Sequence, residues 1–328
     1  MKKIKKKFKK KSTHAINAAP PWHVRNKSLL LHGIVVASSA VILGILICII
    51  LFAILIEFAK LKELRHQSGS QIDFSYFIRR PDQLSSSKAL IVYDADNQVT
   101  ILSKNENVRF APASTAKIMA AIVAREYYNP ERILKADLST VSIEGSKMGL
   151  FLGEEVRVAD LIYGMMLPSG NDAAHLLAVS YPGGVEGFVA RMNEKAKELS
   201  LSNTYFMDPA GYDDDNYSTA HDLARLGAYA LTDPLISSVV KTPEVTVYNK
   251  THTIPHVLTN LNELLLIPGV NGIKTGFTNE AEGVLVTSFF HNKKQYVIVV
   301  LRSQDRFQDT KELLLGIIED LKSEQVSF

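Results

Sequence analysis

Ser114 and Lys117 stand three residues apart at the start of an apolar segment, "APASTAKIMAAIVA", at residues 111–124. Residues three apart lie on one face of a helix, so the lysine amine can reach the serine hydroxyl. In an apolar pocket the lysine loses hydration, its pKa falls, and the neutral amine can accept a proton. A free backbone N–H in the first helical turn could also bind an oxyanion beside the serine. The pair therefore predicts a serine nucleophile with a lysine base.

The spacing of this pair is weak evidence when taken alone. It also occurs at Ser85–Lys88 and Ser238–Lys241, but neither of those pairs opens an apolar helix. Pro112 suits the first position of a helix, because the N–H that it lacks would be unpaired there. The local sequence thus favours Ser114 over the other two serines.

A second candidate element is "LPSGNDAAHLL", in which Ser169 and Asn171 precede a helical pattern. The hydroxyl could relay a proton, and the amide could bridge the lysine and an amide of the substrate. Each side chain could instead simply cap the helix, since serine and asparagine are favoured at that position.

A third candidate element is "GVNGIKTGFTNEA", which places Lys274, Thr275 and Gly276 at the end of a strand-like run. A lysine and a hydroxyl together suit a carboxylate, and a glycine allows a second backbone to approach the strand. The N–H of Phe277 would be a second oxyanion donor. An exposed lysine followed by an ordinary turn is the alternative interpretation.

The patterns around these residues predict the elements that must hold them. Alternating runs around the "DADN" turn predict an early β-hairpin, and periodic apolar residues predict helices between about 155 and 232. Strand-like runs follow, of which the last two are joined at "HNKK". An amphipathic helix comes after them. This order indicates an α+β fold, with a mostly antiparallel sheet flanked by helices and a helical subdomain.

The N-terminal segment predicts a membrane anchor. Residues 33–56 form 24 uncharged, mostly apolar positions, and roughly 20 cross a bilayer. A cleaved signal peptide is the alternative, but its apolar core is usually about 7–15 residues long. Eight lysines, Arg25 and Lys27 precede the stretch without an acidic residue, which is typical of a cytoplasmic flank. We predict a cytoplasmic tail at 1–28, one transmembrane helix at 29–57, a spacer at 58–84 and an extracytoplasmic catalytic domain at 85–325.

Charge and cysteine content limit the partners. The net charge of +3 combines +10 in the tail with −7 in the remainder, so the domain is acidic and nucleic-acid binding has little support. The tail would contact anionic lipid on the inner leaflet. The single Cys48 lies in the predicted membrane helix, so thiol chemistry is not expected in the domain.

Taken in order, the three elements are similar to the active-site motifs of the serine penicillin-recognising enzymes. Within that group the chain resembles the D-alanyl-D-alanine carboxypeptidases of low molecular mass, from about residue 86 to 320. "SSKALIVYDAD" and "FMDPAGYDDDNYSTAHDLA" add to the resemblance. Glu282 stands where the family usually has glycine, which affects the expected substrate preference rather than the reaction class. The N-terminal span would take the place of the C-terminal membrane helix of many relatives.

This resemblance implies a serine D,D-carboxypeptidase that trims peptidoglycan stem pentapeptides ending in D-Ala-D-Ala. Ser114 would attack the peptide carbonyl, Lys117 would take its proton, and Ser169 with Asn171 would pass the proton to the leaving D-alanine. The K-T-G segment would hold the terminal carboxylate. β-Lactams would be covalent inhibitors, and no metal or cofactor is implied.

The same residues bear on three other functions. A D,D-endopeptidase that cuts peptidoglycan crosslinks shares all three motifs. A class A β-lactamase is disfavoured because "LSNTYFMDPAGYDDD" has no glutamate to activate water. A non-hydrolysing penicillin-binding sensor is disfavoured by the complete set of reactive side chains. His252 and His256 do not suggest a helical metal pair, because Pro255 lies between them.

Overall fold

The computed structural model describes residues 85–325, with side chains to residue 318. Within this range no helix is long and apolar enough to cross a membrane. The predicted tail, membrane helix and spacer lie outside the described residues, so these three assignments stay predictions.

An antiparallel sheet forms the centre of the described part. The strands of residues 85–325 are β1 (Ala89–Asp94), β2 (Val99–Lys104), β3 (Ile133–Lys135), β4 (Glu155–Arg157), β5 (Glu244–Tyr248), β6 (Pro255–Thr259), β7 (Val270–Thr278), β8 (Glu282–His291) and β9 (Lys294–Ser303). The main sheet has five strands in the order β2-β1-β9-β8-β7, so β7 lies at an edge. The pairs β3–β4 and β5–β6 form two small separate sheets.

The helices fill the interval between the early and late strands. Those of the described range are α1 (Lys117–Tyr127), α2 (Leu138–Ser142), α3 (Val158–Met166), α4 (Asn171–Val179), α5 (Gly184–Glu198), α6 (Ala220–Ala230), α7 (Pro234–Val240) and α8 (Arg306–Gln325). Two 3₁₀ turns, Ala113–Ala116 and Glu263–Leu266, complete the set. The prediction of an α+β fold is confirmed.

Both predicted hairpins form because the turn residues allow them. The "HNKK" turn between β8 and β9 has Asn292 and Lys293 at φ values of 49° and 63°. Two successive residues of positive φ match the right-handed twist of the flanking strands. β1 and β2 pair across the "DADN" turn, where the Asp94 carboxylate accepts from the backbone N–H of Asn97 at 2.9 Å.

The sheet buries both faces, because side chains alternate along each strand. Ile91 and Val299 face the helical core, whereas Leu90 and Val300 face α8. Helix α1 lies inside the helical core, and every residue from 117 to 124 is buried. A helix that is apolar on all sides is buried in this way. Lys117 is therefore buried by the position of its helix.

Candidate active site

Ser114 lies in the 3₁₀ turn that leads into α1. Pro112 stands just before this turn instead of at the first helical position, and its carbonyl accepts from the Thr115 hydroxyl at 2.6 Å. A 3₁₀ turn has three residues per turn, so residues i and i+3 align along its axis. The Lys117 amine accordingly lies 3.0 Å from the Ser114 hydroxyl oxygen.

Lys117 is the most enclosed side chain of the site. Its Nζ lies 2.8 Å from Asn171 Oδ1 and 2.9 Å from the Ala210 carbonyl oxygen, in addition to Ser114 Oγ. Burial lowers the pKa of this amine to about 7, although the charges of Asp208 and Asp172 act in the opposite direction. The amide and carbonyl oxygens can only accept, so they take two N–H bonds of the neutral amine. The lone pair of the amine nitrogen then faces the Ser114 hydroxyl. Of the three partners of Lys117, this hydroxyl is the one that can donate a hydrogen bond.

Asn171 is the first residue of α4, and its amide is held in one orientation. Its Nδ2 donates to the Glu144 carbonyl at 2.7 Å, which leaves Oδ1 for Lys117. The neighbouring Asp172 carboxylate accepts from three backbone N–H groups of one loop, those of Met148, Gly149 and Leu150. These bonds fix the loop that forms one wall of the site.

The loop after Phe206 supplies a group that the sequence motifs do not indicate, the Ala210 carbonyl. Asp208 organises this loop by accepting from the backbone N–H groups of Ala210, Tyr212 and Asp213. Gly211 has a φ of 73°, and a Cβ there would overlap the Ala113 carbonyl oxygen. The glycine in "DPAG" was the available signal, because it marks a close backbone approach.

Strand β7 brings the third motif against the nucleophile. A Cβ on Gly276 would lie 3.0 Å from Ala113 Cβ and 3.1 Å from the Ser114 nitrogen. The glycine therefore admits the nucleophile turn itself, besides any substrate backbone. Phe277, the next residue, has an exposed ring at the cleft.

Lys274 and Thr275 are buried on the same strand. Lys274 is 2% exposed, and its amine donates to the Thr275 carbonyl oxygen at 3.0 Å. Burial lowers the pKa of Lys274 well below its usual value, and the positive charges of Lys117 and Arg306 lower it further. An anion placed beside this amine would raise its pKa again.

A cleft of about 420 Å³ lies between the nucleophile turn, the start of α4, the loop after Phe206 and β7. It is lined by Ser114, Asn171, Ala210, Gly211, Phe277 and Thr278, among others. Ser169 is not among the residues that line it, although it is buried and precedes Asn171 by two residues. Its φ of 64° turns the chain into α4. Among residues 85–325, no hydrogen bond joins the Ser169 hydroxyl to Ser114 or Lys117.

Known proteins share sequence similarity with this chain. The sequence matches the D-alanyl-D-alanine carboxypeptidase family over residues 76–305. The chain belongs to this family. It is 34% identical to a D-alanyl-D-alanine carboxypeptidase of Bacillus subtilis over 68% of this chain and 59% of that protein. It is 35% identical to a D-alanyl-D-alanine endopeptidase of Escherichia coli over 67% of this chain and 72% of that one.

Solved structures show the same fold. The Streptomyces K15 DD-transpeptidase superposes with a TM-score of 0.67 and 30% identity, over 71% of this chain and 97% of that one. The family is established by the match over residues 76–305. The chain spans only 59% of the length of the Bacillus relative, so the activity of the whole protein is a proposal.

Glu282, where the family resemblance led us to expect glycine, is not among the residues that line the cleft. Its φ is 51°, and its carboxylate accepts from Arg302 Nε at 3.1 Å. It pairs with Thr278 at the end of the β7–β8 hairpin. Within the described residues its charge is thus neutralised by Arg302.

Arg306 is a further group near the site that the motifs did not indicate. Its Nε is buried and has no hydrogen-bond partner among residues 85–325. Burial lowers its pKa, with Glu263 and Asp305 acting in the opposite direction. Its positive charge also lowers the pKa of Lys274, so the guanidinium and the amine lie within electrostatic reach of each other.

Proposed function

We propose that this protein is a serine D,D-carboxypeptidase that removes the terminal D-alanine from peptidoglycan stem pentapeptides. The observation that supports this most directly is the Ser114–Lys117 contact of 3.0 Å within a buried site. Two acceptor-only groups, Asn171 Oδ1 and the Ala210 carbonyl, direct the amine lone pair to the serine. The family supports the substrate class, and this geometry supports Ser114 as the nucleophile and Lys117 as its base.

The substrate would lie along the open edge of β7. Its terminal carboxylate would face Lys274 and Thr275, since Lys274 is a buried amine with one hydrogen-bond acceptor among residues 85–325. Arg306 adds positive charge to the same region. The scissile carbonyl would then lie at Ser114, with the N–H groups of Ser114 and Phe277 directed at its oxygen.

Acylation would begin with a proton transfer from the Ser114 hydroxyl to the Lys117 amine. The serine oxygen attacks the carbonyl carbon of the D-Ala-D-Ala bond, and the negative charge collects on the carbonyl oxygen. When this intermediate collapses, the C–N bond breaks and the leaving amine takes a proton from Lys117, with Ser169 as the proposed relay. The products are free D-alanine and an ester on Ser114.

Deacylation would repeat the sequence with water. Lys117, neutral again, takes a proton from a water molecule, and the resulting hydroxide attacks the ester carbonyl. The ester bond to Ser114 breaks, and the proton returns from Lys117 to the serine oxygen. Asn171 would keep the amine in place during both halves of the reaction, because its own amide is fixed by the Glu144 carbonyl.

Covalent labelling with a fluorescent penicillin tests the nucleophile. The β-lactam carbonyl imitates the acyl bond of the substrate, so Ser114→Ala should abolish labelling. Ser85→Ala and Ser238→Ala, at the other two serines of this spacing, should label normally. Labelling that persists in Ser114→Ala would show that another residue is the nucleophile. Mass spectrometry of a pentapeptide muropeptide should show loss of one D-alanine with the native protein only.

A D,D-endopeptidase is the second candidate, because the Escherichia coli relative is named as one. Its substrate is a crosslinked dimer in which the scissile residue need not end in a free carboxylate. Native protein incubated separately with pentapeptide monomer and with crosslinked dimer should convert the monomer faster. Faster cleavage of the dimer would favour the endopeptidase.

We also propose that residues 29–57 anchor the domain to the cytoplasmic membrane, with the tail inside and in contact with anionic lipid. Ten basic residues before the apolar stretch support this orientation. Protease added outside intact cells should remove the domain and spare the tail. A mature protein that begins near residue 54 or 60 would contradict the anchor.

A further inference from the structure

A buried histidine and a buried glutamate form a pair outside the catalytic cleft. The side chains of His256, on β6, and Glu154, just before β4, are 4% and 0% exposed, and His256 Nε2 lies 2.7 Å from Glu154 Oε1. Neither residue lines the cleft, and neither takes part in the proposed reaction. Titratable groups are seldom buried so completely unless they are paired and hydrogen-bonded. The other contacts of the two side chains show what the pair holds in place.

Both nitrogens of the His256 imidazole face acceptors. Nδ1 lies 3.3 Å from the Met148 carbonyl oxygen, which can only accept, so this nitrogen carries a proton. Nε2 either donates to the ionised Glu154 or accepts from its protonated form, so one proton lies between the two groups in both cases. Glu154 Oε2 accepts from the Phe151 backbone N–H at 2.9 Å. The pair thus ties loop 143–154, which connects α2 with β4, to β6.

The same loop is also held by the start of α4. The Asp172 carboxylate accepts from the backbone N–H groups of three consecutive residues, 148–150. The Ser146 carbonyl accepts from the Asn171 backbone N–H at 2.7 Å, and Ser146 lines the catalytic cleft. Loop 143–154 therefore connects the histidine–glutamate pair with Asn171, whose side chain holds the Lys117 amine.

Loop 143–154 and α4 touch too closely to move independently. A Cβ on Gly170 would lie 2.9 Å from the Met148 nitrogen, so there is no room for a side chain at this contact. The Glu144 carbonyl, in the same loop, accepts from Asn171 Nδ2 at 2.7 Å. A displacement of the loop would therefore displace the Asn171 amide, whose Oδ1 lies 2.8 Å from Lys117 Nζ.

The hydrogen bonds of the pair contribute direction rather than stability. Apolar side chains of similar volume often replace a buried ion pair without loss of stability, whereas removal of one partner is strongly destabilising. We propose that His256 and Glu154 are positioning residues of the active site. They fix loop 143–154, which in turn holds Asn171 beside the Lys117 amine. This role rests on the proposed function, in which Lys117 is the base.

Variants that separate stability from positioning test this role. In His256→Leu the Glu154 carboxylate stays buried without its partner, so the melting temperature should fall. The double variant His256→Leu with Glu154→Met makes both groups apolar at similar volume, and its melting temperature should return to the native value. Its acylation rate constant at saturating fluorescent penicillin should still be about tenfold lower, because small displacements of reacting groups are costly.

Two further variants complete the comparison. His256→Gln keeps an N–H donor for Glu154, so it should lose less of the acylation rate than the double variant. Lys250→Met removes the exposed pair of Lys250 with Glu155, which also links the β5–β6 hairpin to β4, and should leave the rate unchanged.

The acylation rate decides the outcome. A folded double variant that acylates at the native rate would overturn the positioning role. A loss confined to the half-saturating penicillin concentration would assign the pair to ligand binding and would overturn it too. If the double variant does not fold, His256→Gln decides by the same rate constant. A reduced rate at the native melting temperature would then support the role, and a native rate would overturn it.

Amide hydrogen exchange separates this role from the proposed function. The N–H groups of residues 148–150 should exchange faster in the double variant than in the native protein, because the loop opens more easily. Faster exchange, together with a native protein that no penicillin acylates, would support the fixing of the loop and contradict the proposed nucleophile. Unchanged exchange, together with normal acylation of the native protein, would contradict the positioning role alone.

Discussion

Two buried lysines occupy neighbouring parts of one site, and their surroundings differ. Lys117, on the nucleophile helix, is fully buried and has three hydrogen-bond partners. Lys274, on the edge strand, is 2% exposed and has one partner among residues 85–325, the Thr275 carbonyl. A buried ammonium is costly unless its donors are satisfied. The first lysine is thus arranged before any ligand binds, whereas the second has fewer acceptors than N–H donors in the described part of the chain, and a ligand would supply the rest.

This difference gives the two amines different tasks at one pH. In the free protein an extra proton is held better by Lys117 than by Lys274. The three hydrogen-bond partners of Lys117 and the charges of Asp208 and Asp172 stabilise its ammonium form. A substrate carboxylate beside Lys274 would raise the pKa of that amine and keep it charged. The charge on Lys274 would in turn favour loss of the proton from Lys117. On the proposed function, binding of the correct substrate therefore helps to produce the base.

The largest effect is expected from Lys117→Arg. Arginine stays charged at any working pH, so it cannot accept the serine proton. The acylation rate with a fluorescent penicillin should fall by about 10²–10⁴-fold, the usual contribution of a general base. Lys250→Arg, at an exposed lysine paired with Glu155, should leave the rate unchanged. A Lys117→Arg protein that acylates at near-native rate would assign the base to another group.

A smaller effect, with a different pattern, is expected at Lys274. Lys274→Arg keeps the charge and should reduce kcat/KM less than Lys274→Ala, for which we expect about 10²-fold from loss of a buried charge pair. Amidation of the substrate carboxylate should slow the native protein strongly and the alanine variant only slightly. An equal loss in both proteins would show that Lys274 does not hold the carboxylate and would favour the endopeptidase.

The contact between strand β7 and the nucleophile turn can be tested at Gly276. Alanine there would meet Ala113 and the Ser114 nitrogen at 3.0–3.1 Å, so the strand and the nucleophile turn must separate slightly. We expect about a tenfold loss of acylation rate, because small displacements of reacting groups are costly. The melting temperature and circular dichroism should show a folded protein. Native acylation by a folded Gly276→Ala protein would show that the close approach is not needed.

The sequence predicted the parts of this comparison that depend on residue type and spacing. The i, i+3 relation of Ser114 and Lys117 needs only a helical turn, and the strand before Gly276 follows from its apolar pattern. The Ala210 carbonyl could not be predicted in this way, because every residue has a carbonyl and this one approaches Lys117 from 93 positions away in sequence. The position of Arg306, whose Nε has no hydrogen-bond partner within residues 85–325, likewise depends on tertiary packing.

The smallest and most specific effect concerns pH. Lys117 must be neutral to act as a base, and its pKa is about 7, so acylation should rise with pH through about 7. Below that pH the amine is an ammonium and cannot accept the serine proton. Lys274→Arg places a permanent charge near Lys117, which disfavours the ammonium and should shift this acid limb to lower pH, by about one unit.

Lys274→Met removes the neighbouring charge and serves as the matched variant for the pH shift. Its acid limb should lie at or above that of the native protein, since no second cation then opposes protonation of Lys117. The measurement is the acylation rate with a fluorescent penicillin from pH 5 to 9 for the three proteins. Identical limbs in the arginine and methionine variants would mean that the two amines do not interact. In that case burial alone would account for the pKa of Lys117, and substrate binding would not help to produce the base.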